Sequence, residues 1–298
     1  MIPLSVLTYN VWGLKVGRWH IAKNIDRRIR AMVSHIRALN ADVIALQEVW
    51  CDTIAAYLYR HLDFPYTYYK PHRHIWKGRI GNGLMFLSKH PIIEQNAMSF
   101  SSHTRADEYF AAKGAQMIQI ETPAGKMNIV NTHMGSGKKI KHTERRMLQL
   151  SELQQFIRNF PLKQPIVLAG DFNFNPDSIE YYQMQLWIRR YFDDGSGDTY
   201  AMTNREKNGH TFFLNRSYER RPTVHDQDER IDYVITLCSK QNRSDVEIAS
   251  ARVVLDNPDE PLSDHCGVLV DLKLRRKSTL EEVLQQPIPD SFYYEHQV

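Results

Sequence analysis

Asn10, Glu48, His133 and Asp171 each close a short run that is otherwise mostly apolar: Leu4 to Asn10, Asp42 to Glu48, Met127 to His133 and Ile166 to Asp171. Buried strands do not finish on unneutralised polar groups without cost. A shared crevice in which those groups meet each other and a metal removes it. Glu48 is the best ligand for a hard cation, which takes carboxylate and other oxygens. Asn10 is expected beside it, because one helix separates their two strands. In Gly170-Asp171-Phe172-Asn173, alternation along an extended backbone puts Asp171 and Asn173 on one side. There one can accept a proton while the other donates to phosphoryl oxygens. A turn is the plainer reading of that run, supported by Asn175-Pro176-Asp177.

Ser263-Asp264-His265 gains meaning from Arg230-Ile231-Asp232-Tyr233-Val234-Ile235, a strand with one acidic residue among apolar ones. A histidine that takes a proton from water needs its other nitrogen held by an acceptor. We therefore pair Asp232 with His265. His133 becomes a second donor to a transferring phosphoryl group. The chemistry these residues suit is metal-assisted hydrolysis of a phosphoester.

Helices and strands must alternate to bring such distant residues together. Ile25, Ile29, Met32, Val33, Ile36 and Leu39 recur at helical spacing between the first two strands. Asp52 to Leu62 reads as a short helix with Asp52 as N-cap, Phe64 to Tyr69 and Leu84 to Ser88 as strands. Pro123-Ala124-Gly125 marks a hairpin between Met117 to Glu121 and Lys126 to Thr132. Met147 to Phe160 and Ser178 to Tyr191 are further helices. Arg230 to Leu237, Val246 to Leu255 and Cys266 to Leu274 are strands. Two sheets packed face to face with helices outside is the layered solution.

The 298 residues, 42% hydrophobic and 24% charged, fit a globular chain. The site residues run from Asn10 to His265, so one domain over 1–276 is expected, with 277–298 a peripheral tail. A net charge of +4 suits an anionic substrate or surface and is modest for a dedicated duplex binder. Three cysteines give no disulfide framework. A first strand at residue 4 leaves no room for a signal peptide, and no apolar window is long enough to span a bilayer. A cytoplasmic protein is expected, with peripheral membrane attachment and signal-independent export left open.

In order along the chain, Asn10, Glu48, His133, Asp171-Phe172-Asn173, Asp232 and Asp264-His265 resemble the endonuclease/exonuclease/phosphatase superfamily over about residues 4–274. Asn10-Val11-Trp12-Gly13, Gln47-Glu48-Val49-Trp50, Ile80-Gly81-Asn82-Gly83-Leu84, Phe86 to Ile92 and Lys113-Gly114 resemble its neutral sphingomyelinases. After Thr132-His133 the chain reads Met134-Gly135-Ser136-Gly137, where those enzymes carry a small polar stretch ending in Glu. The resemblance implies a four-layer α/β sandwich of the DNase I type, two mixed sheets flanked by helices. It also implies a Mg²⁺-dependent phosphodiesterase, with Mn²⁺ as substitute, that releases phosphocholine from a phospholipid. A nuclease acting on DNA or RNA is the alternative. His133, Asp171, Asn173, Asp232 and His265 would be catalytic. Glu48, Asn10 and Asp264 would be metal-side, and Asn82 and Lys113 substrate-side. Trp12 and Trp19, beside Lys15 and Arg18, are candidates for bilayer contact. For a nucleic acid, aromatics and cations interleave from Tyr66 to Trp76. A monomer is expected.

Overall fold

The computed structural model describes residues 1–16, 19–20, 22, 24–71, 81–103, 111–160, 164–205, 207–214, 227–239 and 245–275. The tail and residues 72–76 of the run from Tyr66 to Trp76 lie outside these residues. So do Ile80 and the side chain of Trp19. Strand β1 (Ile2–Asn10) leads through a short hairpin, β2 (Lys15–Val16) and β3 (Trp19–His20), to helix α1 (Ile25–Leu39). Then come β4 (Val43–Gln47), α2 (Asp52–Leu62), β5 (Tyr66–Tyr68), β6 (Met85–Ser88), β7 (Ile92–Ser99), β8 (Gly114–Thr122) and β9 (Gly125–His133). Helix α3 (Ile140–Arg158), β10 (Ile166–Asp171), α4 (Ile179–Tyr191), β11 (Gly197–Asp198) and α5 (Thr199–Thr203) follow. Three strands close the chain: β12 (Asp232–Leu237), β13 (Val246–Val254) and β14 (Gly267–Leu274).

Two six-stranded sheets result, ordered β13-β14-β1-β4-β6-β5 and β11-β12-β10-β9-β8-β7. Each mixes parallel and antiparallel pairs. Three clusters of buried side chains define the layers. Leu4, Val6, Val43, Ala45, Ile129, Val167, Ala169, Val234 and Val268 fill the space between the sheets. Leu7, Tyr9, Ile44 and Leu46 face α1 and α2, joined by Ile29, Met32 and Leu58. Val130, Leu168 and Ile235 face α3 and α4, joined by Leu153 and Trp187. The expected four-layer sandwich is therefore present.

Side-chain alternation makes this arrangement position a site. Strand period is two, so residues of equal parity share a face. On β1 the inward set is Leu4, Val6, then Asn10 at the tip. On β9 it is Ile129, then His133; on β10, Val167 and Ala169, then Asp171. On β12 Val234 faces inward and Asp232 starts the strand with the same parity. Register then aligns the tips: Asn10 pairs with Gln47 across parallel β1 and β4, and His133, Asp171 and Asp232 stand in one row. Gly170 has a φ of +146° and lies against the Thr132 carbonyl, so only a residue without Cβ lets β9 and β10 close up there.

Most sequence-expected elements are present with ends shifted by one to three residues; the exception is α3, which begins at Ile140, seven residues before the expected Met147. Asp52 is the first residue of α2, and Cys51 occupies the cap position. Ser178 caps α4 by accepting from the Tyr181 amide at 3.2 Å. Strand β7 carries no expectation from sequence. Its residues are exposed or half-buried, as befits a sheet edge, and lack a clean apolar alternation.

Candidate active site

Asn10 stands where the two sheets open. Its amide nitrogen donates to Glu48 Oε1 at 3.2 Å and to Asp171 Oδ2 at 3.0 Å, joining one sheet to the other. The orientation is set by the Trp12 amide, which donates to Asn10 Oδ1 at 2.9 Å. Asn10 thus turns its amide nitrogen toward the carboxylates and braces them against each other. Glu48 sits one residue beyond β4 with a φ of 61°, half-buried, and its Oε2 accepts from the Trp50 indole at 3.3 Å. Asp264 lies close enough that the Glu48 charge helps to hold its carboxyl above the usual range, after burial as the larger cause.

The second cluster comprises Asp171, Asp232 and His265, whose ligand atoms lie within 4.8 Å of one another. His265 Nδ1 is 2.9 Å from Asp232 Oδ2, the pairing expected from sequence. Its Nε2 faces Asp171 Oδ2 at 3.8 Å. Burial opposes charge on this imidazole, but Asp232, Asp171 and Asp264 outweigh it and raise its pKa well above the ordinary histidine value. Asp171 is pushed up by burial first and by Asp232 second; His265, Lys113 and the Asn10 hydrogen bond oppose this. His133 places Nε2 3.3 Å from Asp171 Oδ2. Burial first, then the charges of Lys113 and His265, hold it well below the ordinary value, which makes it a neutral donor or acceptor.

Asn173 departs from the expected extended alternation. Strand β10 ends at Asp171, and Asn173 has a φ of 55° with its amide N–H turned back onto Asp171 Oδ1 at 2.9 Å. The turn reading of this run is therefore correct. Yet the turn itself keeps Asn173 at the site, where Nδ2 donates to the Met134 carbonyl at 3.0 Å. Lys113 is buried and donates to the same carbonyl at 2.9 Å. Asn82 is fully buried, with Oδ1 accepting from the Leu84 amide at 3.1 Å. It reaches the site through its neighbour: the Gly83 carbonyl accepts from the Val49 amide. Trp12 is a core residue, 9% exposed, with the Arg28 guanidinium 4.6 Å over its ring. That burial gives it almost no surface to offer a bilayer.

Several supporting residues carry no assigned role in the sequence reading. Gln47 donates to Asn131 Oδ1 at 2.7 Å and to Thr8, a polar bridge between the sheets just behind the site. Strand parity would have found both Gln47 and Asn131, since each faces inward. Thr211 Oγ accepts from the amides of Ile231 and Asp232, and the Ser263 hydroxyl donates to the Asn10 carbonyl. Nothing in sequence announces these, because each depends on a loop from far along the chain. Trp50 stands between Glu48 and His133, its ring centre 6.3 Å from the imidazole.

The donor set fits a divalent cation. Glu48 stands close enough to Asp264 for its charge to help raise the Asp264 pKa, and both offer carboxylate oxygens at the mouth of the site. Like charges at such distance are costly, and a hard cation relieves the cost with the oxygen ligands it prefers. The sequence model of the endonuclease/exonuclease/phosphatase family matches residues 7–265, which takes in every one of these groups. The chain belongs to this family. Sphingomyelin phosphodiesterase 2 of Homo sapiens is 26% identical over 291 residues, covering 92% of this chain and 65% of that protein. The chain spans 64 to 68% of the length of the first curated relatives it matches. Among solved structures, sphingomyelinase C from Streptomyces griseocarneus superposes with a TM-score of 0.66 at 20% identity, over 91% of this chain and 99% of that one. D. rerio TDP2 complexed with single strand DNA product gives 0.69 at 18% identity, with the same coverage. These superpositions place this family member in the DNase I-like fold.

Proposed function

We propose that this family member is a divalent-cation-dependent phosphoric diester hydrolase that cleaves a sphingomyelin-type phospholipid and releases phosphocholine. The observation that carries the hydrolytic reading is His265, oriented by Asp232 at 2.9 Å and standing beside Asp171 where the sheets open. Family membership and the sphingomyelin phosphodiesterase relatives support the reaction class. The similarity to human sphingomyelin phosphodiesterase 2 along 92% of the chain supports a lipid over a nucleic acid.

In this reading Asp232 fixes the imidazole, and a cation held nearby would offset the carboxylate charge that favours its protonated form, so that Nε2 of His265 takes a proton from the attacking water. Water adds at phosphorus and the P–O bond to the lipid alkoxide breaks. Asp171, between His133 and His265, assists the water or the leaving group. Asn173 retains a second amide N–H beyond the one given to Met134, and with His133 it donates to the phosphoryl oxygens. Glu48 and Asp264, with Asn10 bracing Glu48, would hold the cation, Mg²⁺ by preference. Bound there, it would neutralise charge developing on the phosphoryl oxygens.

The test offers purified protein with Mg²⁺ sphingomyelin liposomes and single- and double-stranded DNA in parallel, with and without chelator. Phosphocholine release that chelation abolishes is expected, and Glu48→Gln should weaken activation by the metal. Nicked DNA without phosphocholine would overturn the lipid reading in favour of a nuclease. Full turnover in excess chelator would overturn the cation's role.

A further inference from the structure

The segments that leave β9 and β10 at the active-site end run directly into α3 and α4, so both helices begin on the catalytic face. The chain entering α3 reads Lys138-Lys139-Ile140-Lys141, all four exposed, with no acidic residue in the first turn. Ile140 is 80% exposed, more than any other large hydrophobic among the described residues. Neither choice helps the fold: cations oppose the positive end of a helix dipole, and an exposed isoleucine buries no surface. The first acidic side chain of the helix is Glu144. Helix α4 opens on Ile179, 51% exposed, with Tyr182, 56% exposed, one turn later.

Arg146 ties these two turns together. Its guanidinium pairs with Glu180 at 2.8 Å and donates to the Gly135 and Gly137 carbonyls, in the segment that follows His133. Both Arg146 and Glu180 are buried. The exposed tips are therefore fixed relative to each other and to the site.

We propose that the first turns of α3 and α4 are the surface by which this enzyme docks on an anionic lipid bilayer, with Ile140 and Ile179 entering the interface and Lys139 and Lys141 meeting lipid phosphates. The inference rests on the phospholipid reading above. Charge complementarity selects the occupant: apolar insertion and attraction to anionic headgroups add at a bilayer surface. A nucleic acid would use the lysines and leave Ile140 in water. Because this face also holds the catalytic groups, docking turns the mouth of the site toward the headgroups. Lys138 contributes less, since it pairs with Glu229 at 3.0 Å.

Binding is measured apart from catalysis, by co-sedimentation of the full chain with sphingomyelin-free vesicles of phosphatidylcholine with or without phosphatidylserine. Wild type should partition onto the phosphatidylserine vesicles and be released by salt. Lys139→Ala with Lys141→Ala should lower partitioning about twenty-five-fold, at roughly fivefold per lysine. Ile140→Ser should lower it severalfold even at low salt. All variants should keep wild-type turnover of a soluble chromogenic phosphodiester, which shows that they fold. Equal partitioning of wild type and variants would overturn the proposal. So would a dimer that Ile140→Ser dissociates, which would give the face to a second copy. Loss of DNA binding in the lysine variant, with no effect of Ile140→Ser on vesicles, would overturn it too. Sphingomyelin hydrolysis in detergent micelles reads the underlying function independently: if it persists while vesicle binding fails, only the docking surface falls.

Discussion

Each side chain at the mouth of the sheets is held by a neighbour that decides what it can do. His265 is the clearest case: Asp232 accepts from one ring nitrogen, and the other is left facing Asp171. If Asp232 acts through His265, the two form a unit. His265→Ala and Asp232→Asn should each lower kcat by about two to four orders of magnitude with little change in KM. The double variant should be hardly worse than His265→Ala alone. Steady-state kinetics on a soluble diester would check this, and fully additive losses would refute the pairing.

At the scale of elements, the site is only as rigid as the segments that leave β9 and β10. Arg146 on α3 reaches Glu180 at the start of α4 and two carbonyls of the segment after His133. Their side chains are 5% and 2% exposed, so removing one partner strands a buried charge. Glu180→Ala should cost about 3–5 kcal/mol of unfolding free energy, as expected when a buried pair is broken. Glu180→Gln, which retains an acceptor, should cost less. Urea titration of both variants would measure the difference, and a negligible loss in Glu180→Ala would show that the tie is not structural.

Over the whole molecule, the layered packing controls what solvent can reach. Cys51 is half-buried at the start of α2, whereas Cys238 and Cys266 are buried. Burial first, then Asp193 and Asp245, pushes the Cys238 thiol up to about 12. A thiol that ionises later when folded contributes stability below its unfolded pKa of 9.0 and loses it as pH rises toward 12. Near neutral pH, a thiol reagent should label Cys51 alone in the native protein. Cys238 and Cys266 should become reactive together along a urea series, in one step, if residues 1–276 unfold as one unit. Release of the two thiols at separate urea concentrations would argue for separate folding units.

Local sequence determined the strands, the amphipathic helices and the residue types fit for phosphoester chemistry. Apolar runs ending on Asn10, Glu48, His133 and Asp171 are visible because strand period and polarity are short-range properties. The Asp232–His265 pairing was also readable, since a lone carboxylate in an apolar strand calls for a partner. Tertiary structure alone decided the orientations. Asn10 faces the carboxylates with nitrogen because the Trp12 backbone claims its oxygen, and Asn173 stays at the site through a left-handed turn instead of an extended strand. Trp12 went to the core because Arg28, on the helix that follows, covers its ring. Edge strand β7 was equally hidden, and parity marks Gln47 and Asn131 as inward-facing without showing that they bridge the sheets. Their energetics come from contacts across sheets and between distant segments, which no window of sequence contains.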